Sequence, residues 1–252
     1  MPSPCLIPDP ETDALVRRVD EDRWLASRFA PSKARARLTA LYAINYEIAR
    51  TTETVREPGV GAIRLAWWRE ALEEVHASAA PRRHPALQRY AHVWRGQTKA
   101  GDWDAVIEAR SVDFIAQPFA DWDEAGRYAA ATAGGVMRLA ARACSAEVSD
   151  NLVSAAGRAW GLTGLLRSAS YWSARGRSIL PQGASLSEGA HQARAAYVEA
   201  RALALGAPAS VFPALGYVSL APPHLRALER GRTLSLLARQ LRLVWASATG
   251  RF

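Results

Sequence analysis

The sequence predicts an all-α fold, on three observations. Apolar residues recur at helical spacing along most of the chain, as at Leu15, Val19 and Leu25. No stretch alternates apolar and polar residues as a half-buried strand does. Proline and glycine divide the chain into pieces of helix length. Hydrophobic residues make up 49% of the 252 positions, enough to wrap those pieces around a substantial core. No tandem repeat, low-complexity linker or break in composition divides the chain. A single domain over residues 1–252 is therefore expected, with residues 1–12 as a flexible N-terminal segment.

The expected elements follow in order. Asp13–Phe29 has an acidic early turn and a helical apolar spacing. Pro31 suits the start of the next helix, which runs to about Thr54, where Pro58 and Gly59 break it. Gly61–Ala77 follows, and a basic, proline-flanked loop, AAPRRHP, leads on from it. Pro85–Thr98, Trp103–Gln117, Asp121–Cys144 and Ser149–Ala174 read as helices, with Asp121 and Ser149 as N-caps. The segment GRSILPQGASLSEGA reads as a loop. Ser187–Leu205 and Thr233–Ala248 complete the set, and Pro208, Pro213, Pro222 and Pro223 punctuate the region between them.

Net charge is +8, which favours anionic partners such as lipid head groups, diphosphates or nucleic acid. A bland reading stands beside it: only Lys33 and Lys99 are lysines, so the excess also fits an arginine-rich composition. The arginines are scattered and no nucleic-acid-binding motif occurs, so no nucleic-acid partner is expected. Mean hydropathy is −0.12 and no apolar run approaches 18 residues, which excludes a spanning helix. The start, MPSPCLIPDPETD, has neither the charged and apolar regions of a secretory signal nor the composition of a mitochondrial presequence. Cys5 and Cys144 form no CxxC, consistent with a reducing compartment, and a cytoplasmic location is expected.

Most catalytic chemistries lack a signature. His76, His84, His92, His191 and His224 form no HExxH. Gly134–Gly135 and the 157–164 stretch make neither a phosphate-binding P-loop nor a strand-flanked GxGxxG. There is no G-x-S-x-G elbow. Trp67 and Trp68 form a helical aromatic pair that suits core packing or an interfacial anchor.

The most informative segment is Gly161–Pro181, GLTGLLRSASYWSARGRSILP. It resembles a signature helix of the squalene/phytoene synthase family, which reads roughly Q-L-T-N-I-L-R-D-V-x-E-D-x-x-R-G-R-x-Y-L-P. Leu162, Thr163, Leu166, Arg167, Arg175, Gly176, Arg177, Leu180 and Pro181 fall in that frame without a gap. The family's metal-binding acids are replaced by Ser168, Tyr171 and Trp172. A first acidic motif after L-Y-A, here Leu41, Tyr42 and Ala43, is altered as well: its acid positions fall on Ala49, Arg50 and Glu53. Similar segments include Asp22–Arg50, Gly61–Val75, Ala129–Ala143, Val211–Gly231 and Gln240–Phe252. The pattern EIARTTETVREPGVGAIRLAWWREAL is closest to a branch resembling mitochondrial complex I assembly factor 6 and its bacterial relatives.

The resemblance implies an isoprenoid-synthase-like helical bundle with a central apolar cavity. In active members, acids at i, i+3 and i+4 hold magnesium against a departing diphosphate. Ser168, Tyr171 and Trp172 supply no anionic oxygen, and no acid lies between Asn151 and Gly183. Glu47, Glu53 and Glu57 are the local substitutes on the first helix. No catalytic residue, metal ligand or cofactor is expected, and magnesium enters only if the chain is an active head-to-head prenyltransferase. Arg167, Arg175, Arg177 and Glu53 are the candidate residues of a vestigial anion site. The alternative for the arginines is to cap carbonyls or to pair with acids across the bundle. What the resemblance implies about function is a non-catalytic role in respiratory complex I assembly, with complex I subunits or assembly intermediates as partners. An anionic membrane surface and a prenyl or other lipid ligand are further expected partners, with the protein peripheral at the inner membrane. A prenyltransferase making squalene- or phytoene-like products, or a prenyl-lipid carrier, remains the alternative.

Overall fold

The computed structural model describes residues 9–55, 57–115 and 117–250. Its α-helices are α1 (Pro10–Val19), α2 (Glu21–Ser27), α3 (Ser32–Ala49), α4 (Thr51–Thr54), α5 (Pro58–His76), α6 (Pro85–Trp94), α7 (Asp104–Ala109), α8 (Trp122–Ala129), α9 (Gly135–Ala143), α10 (Asp150–Ser173), α11 (Leu186–Leu203), α12 (Phe212–Leu215), α13 (Ala221–Glu229) and α14 (Leu236–Thr249). No strand occurs among the described residues. A single π-helical turn at Ala130–Gly134 joins α8 to α9, and 3₁₀ turns at Arg110–Phe114, Ala209–Val211 and Gly216–Leu220 connect other pieces.

The boundaries differ from expectation where caps and prolines act locally. α1 starts at Pro10, with the Asp9 carboxylate accepting from the Thr12 amide, so the expected flexible segment 1–12 is helical from Pro10 onward. Residues 1–8, Cys5 among them, lie outside the described residues. The expected helix 13–29 divides at Asp20, whose backbone (φ −147°, ψ 62°) leaves the helical region. Pro58 opens α5 instead of ending the helix before it, because proline at a first turn forfeits no hydrogen bond. The same holds for Pro213, Pro222 and Pro223, so the proline-punctuated region 208–231 is largely helical. Ser185 and Glu188 form a reciprocal capping box that starts α11.

Two helices form the centre. α3 is buried from Ala36 to Asn45 without interruption, its polar members Arg37, Thr39 and Asn45 included, as befits a central helix with neighbours on every side. It packs against α1, α6 and α9. Leu38, Leu41, Ile44 and Ile48 are fully or almost fully buried, each contributing ~1.5–3 kcal/mol by removal from water. Arg37 donates through Nε to the Val93 carbonyl, and Trp94 Nε1 returns a bond to the Arg37 carbonyl, which ties α3 to α6. α10 is the second centre, flanked by α8, the π turn, α11 and α13. Its contact with the π turn is close enough that a Cβ on Gly157 would stand 2.6 Å from the Gly134 amide nitrogen. A smaller core of Phe119, Ala129, Leu162, Leu166, Ala193 and Leu225 lies on the other side of α10.

Candidate functional site

The two altered motifs meet across one cavity of about 280 Å³. Tyr46, Ala49, Arg50 and Glu53 reach it from α3 and α4, and Gly161, Gly164, Leu165, Ser168 and Trp172 from α10. Thr132 and Ala133 of the π turn complete the wall with Trp160. A π turn widens a helix locally and recurs at ligand-facing positions. Tyr46, Trp160, Leu165, Trp172 and Ile179 make part of the lining apolar, while Arg23, Arg50, Arg110 and Arg177 make the remainder cationic.

The candidate residues separate into three environments. Glu53 and Arg177 line the cavity, with the Arg177 guanidinium 5.1 Å from the Trp172 ring centroid. Arg175 lies over the exposed Tyr171 ring at 3.5 Å and donates to the Tyr171 carbonyl at 3.1 Å, which is the carbonyl-capping alternative. Arg167 reaches Asp22 at 3.4 Å and lines a neighbouring cleft, which is the acid-pairing alternative. The structure thus brings together two of the four. Of the family's acid positions, Ala49, Arg50, Glu53, Ser168 and Trp172 face the cavity, whereas Tyr171 does not. Ser168 Oγ donates back to the Gly164 carbonyl at 2.9 Å. Glu47 pairs with Arg50 and faces His84 instead, and Glu57 is an exposed residue preceding α5. Trp68 is buried in the core and Trp67 is half-buried beneath Arg82, so this pair packs and does not anchor.

Three polar clusters in and beside the cavity were not read from sequence. Arg23 is buried, donates to the Tyr217 hydroxyl at 3.1 Å and pairs with Asp20 at 2.7 Å. Burial opposes its charge, and Tyr217 and Asp20 outweigh burial and keep it ionised. Arg110 donates to Tyr128 at 2.8 Å and to Asp113 at 3.2 Å, while the Tyr128 hydroxyl donates to Asp113 at 2.6 Å. Asp22 accepts from Arg239 at 2.9 Å and lies 2.9 Å from His224 Nε2. Burial would raise the Asp22 carboxyl, but the hydrogen bonds of His224 and Arg239, with the charges of His224 and Arg167, hold it at about 2. The i, i+3 spacings of Asp20 with Arg23 and of Arg110 with Asp113 are the local signals among these clusters. Asp22 and His224 stand 202 residues apart and leave no local trace.

Magnesium does not fit this donor set. A cluster that neutralises diphosphate needs several carboxylates. The cavity offers Glu53 and Asp113, and Asp113 is already committed to Arg110 and Tyr128. No three His, Cys, Asp or Glu side chains come together in a metal-binding group among the described residues.

A family model for squalene/phytoene synthase matches residues 16–189. The chain belongs to the squalene/phytoene synthase family. Curated relatives include the mouse "NADH dehydrogenase (ubiquinone) complex I, assembly factor 6", 24% identical over 180 residues, and its human counterpart at 23%. Each alignment covers 71% of this chain and 54% of the relative, so the chain spans about half the length of the curated relatives it matches. Among solved structures, a dehydrosqualene synthase in complex with ligand superposes with a TM-score of 0.74 at 14% identity, over 95% of each chain. Squalene synthase HpnC from Alicyclobacillus acidocaldarius gives 0.73 at 19%, over 89% of this chain and 94% of its own. At these identities the likeness shows the squalene/phytoene synthase fold alone: an all-α bundle.

Proposed function

We propose that this chain is a non-catalytic member of the squalene/phytoene synthase family that acts by binding, in the assembly of respiratory complex I. The observation that carries the proposal is the cavity wall. Of the family's acid positions that face it, four are Ala49, Arg50, Ser168 and Trp172, and Glu53 stands alone. Arg50 brings a cation to a metal-ligand position, and Trp172 brings bulk. The names of the mammalian relatives support the assembly role, and complex I subunits or assembly intermediates are the proposed partners. A peripheral position at the cytoplasmic face of the inner membrane accords with the charge of +8 and with the lack, among the described residues, of a helix long and apolar enough to cross a bilayer.

The cavity retains a use in this reading. Arg50 and Arg177 face an aromatic wall, and Arg110 Nε is buried there without a hydrogen-bond partner. Such a wall accepts an anionic head directly, without a metal, and an apolar tail beside it. At about 280 Å³ the cavity sits at the lower end of ligand pockets, which span roughly 300–1,000 Å³, and so favours one small prenyl or lipid ligand over two prenyl chains. Deletion of the gene in its source organism tests the assembly role. Loss of assembled complex I, restored by the wild-type chain and by one carrying Ser168→Ala, is expected. Normal complex I in the deletion strain overturns it.

A further inference from the structure

The cavity does not account for α14. Its inward side is fully used: Leu243 and Ala246 are buried, Arg239 reaches Asp22 and Glu21, and Arg242 donates to the Ser219 carbonyl and the Tyr197 hydroxyl. Its outward side is apolar and unpartnered. Leu237, Leu241 and Val244 are 64%, 61% and 57% exposed, and Trp245 is 46% exposed. With the exposed Ala248, positions 237, 241, 244 and 248 keep the i, i+4, i+7, i+11 spacing of one helix stripe, about 16 Å long at 1.5 Å per residue. Single exposed leucines are ordinary, but an in-register stripe ending beside a tryptophan marks an interaction face.

The segment that carries the stripe is basic. Between Arg230 and Phe252 there is no Asp or Glu, while Arg230, Arg232, Arg239, Arg242 and Arg251 all fall there. Arg230 and Arg232 are exposed just before the helix, and the Arg242 guanidinium lies 4.6 Å from the Trp245 ring centroid. A second copy of the chain docking through this face would set one basic segment against another, since Arg230 and Arg232 are exposed and no Asp or Glu follows Glu229. An anionic lipid surface answers each feature: phosphates for the exposed Arg230 and Arg232, the acyl boundary for the leucines, and the interface for Trp245. At 14 residues, α14 extends about 21 Å and is too short to span a bilayer.

We infer that α14 is the membrane-docking element of this protein, lying in the plane of an anionic leaflet with Leu237, Leu241, Val244 and Trp245 buried at the acyl boundary. The inference rests on the peripheral-membrane part of the proposed function and names the face that performs it.

The test is co-sedimentation of the full chain with vesicles of phosphatidylcholine alone or mixed with phosphatidylglycerol, at low and high salt. The substitutions are Leu241→Glu with Val244→Glu, and separately Trp245→Ala. All three side chains are exposed, so circular dichroism and melting temperature should match the wild type and serve as the folding control. The expected result is salt-sensitive wild-type binding to the mixed vesicles that falls about tenfold or more in the double variant. Trp245→Ala should weaken binding by a smaller factor. Equal binding by wild type and double variant overturns the assignment to α14 and leaves the peripheral reading standing. Failure of the wild type to bind any vesicle overturns both. A concentration-dependent dimer abolished by the same substitutions, without vesicle binding, overturns the lipid inference in favour of a second copy.

Discussion

Asp22 is the residue whose loss should be felt most widely. Its carboxylate, 6% exposed, joins Arg239 of α14, His224 of α13 and Arg167 of α10 to α2. Asp22→Asn keeps the shape and removes the charge. A fall in pKa from the ordinary 3.8 to about 2 corresponds to ~2 kcal/mol of stability at neutral pH. The folded value lies below the unfolded one, so this contribution is complete above about pH 4 and is lost as pH falls through 2. Urea unfolding of wild type and variant from pH 6 to pH 3 tests it. The variant should be ~2–3 kcal/mol less stable at pH 6, with the melting temperature lower by about 4–12 °C. That gap should narrow to roughly half at pH 3. Equal stabilities at pH 6, or a gap that does not change with pH, would refute the view that Asp22 is ionised and paired in the fold.

Other expectations follow from single contacts. Gly157→Ala puts a Cβ within 2.7 Å of the Gly134 backbone and should cost ~2–3 kcal/mol in denaturant unfolding, whereas Gly164→Ala, with nothing within 4 Å, should be neutral or stabilising by up to ~1 kcal/mol. Arg110→Met strands Asp113 and Tyr128 and should cost about 3 kcal/mol by the same assay; Tyr128→Phe should cost about 1 kcal/mol. Burial pushes the Cys144 thiol up to about 12, so in a Cys5→Ser background a maleimide at pH 8 should label it ~100-fold more slowly than an exposed cysteine, with full labelling on unfolding.

The sequence carried the helices well because α3, α5 and α10 are long and their apolar content is unmistakable. It misjudged prolines, since Pro58, Pro213 and Pro222 occupy first turns where the missing amide is harmless, and a proline there looks the same in sequence as one that ends a helix. The motif frame located the cavity: Arg50, Glu53, Ser168, Trp172 and Arg177 all meet there. The frame could not say which way each arginine turns. Arg167 leaves the cavity for Asp22, and Arg175 folds back onto Tyr171, because each finds a nearer partner. The polar pairs that join distant parts of the chain stayed hidden for a different reason. Arg23–Tyr217 and Asp22–His224 join the two ends of the chain, and only the closed bundle brings them together. Trp67 and Trp68 take the packing reading of the two that the sequence allowed, since the apolar pattern of such a pair looks alike whether it faces a core or a membrane.

The most direct test of the central claim is calorimetric titration of the purified chain with farnesyl and geranylgeranyl diphosphate, with and without magnesium, followed by product analysis. The account predicts binding, or its absence, unchanged by magnesium, with no diphosphate released and no coupled product. Magnesium-dependent binding with diphosphate release would contradict it, and would mean that a carboxylate set other than the one facing this cavity performs the family's chemistry.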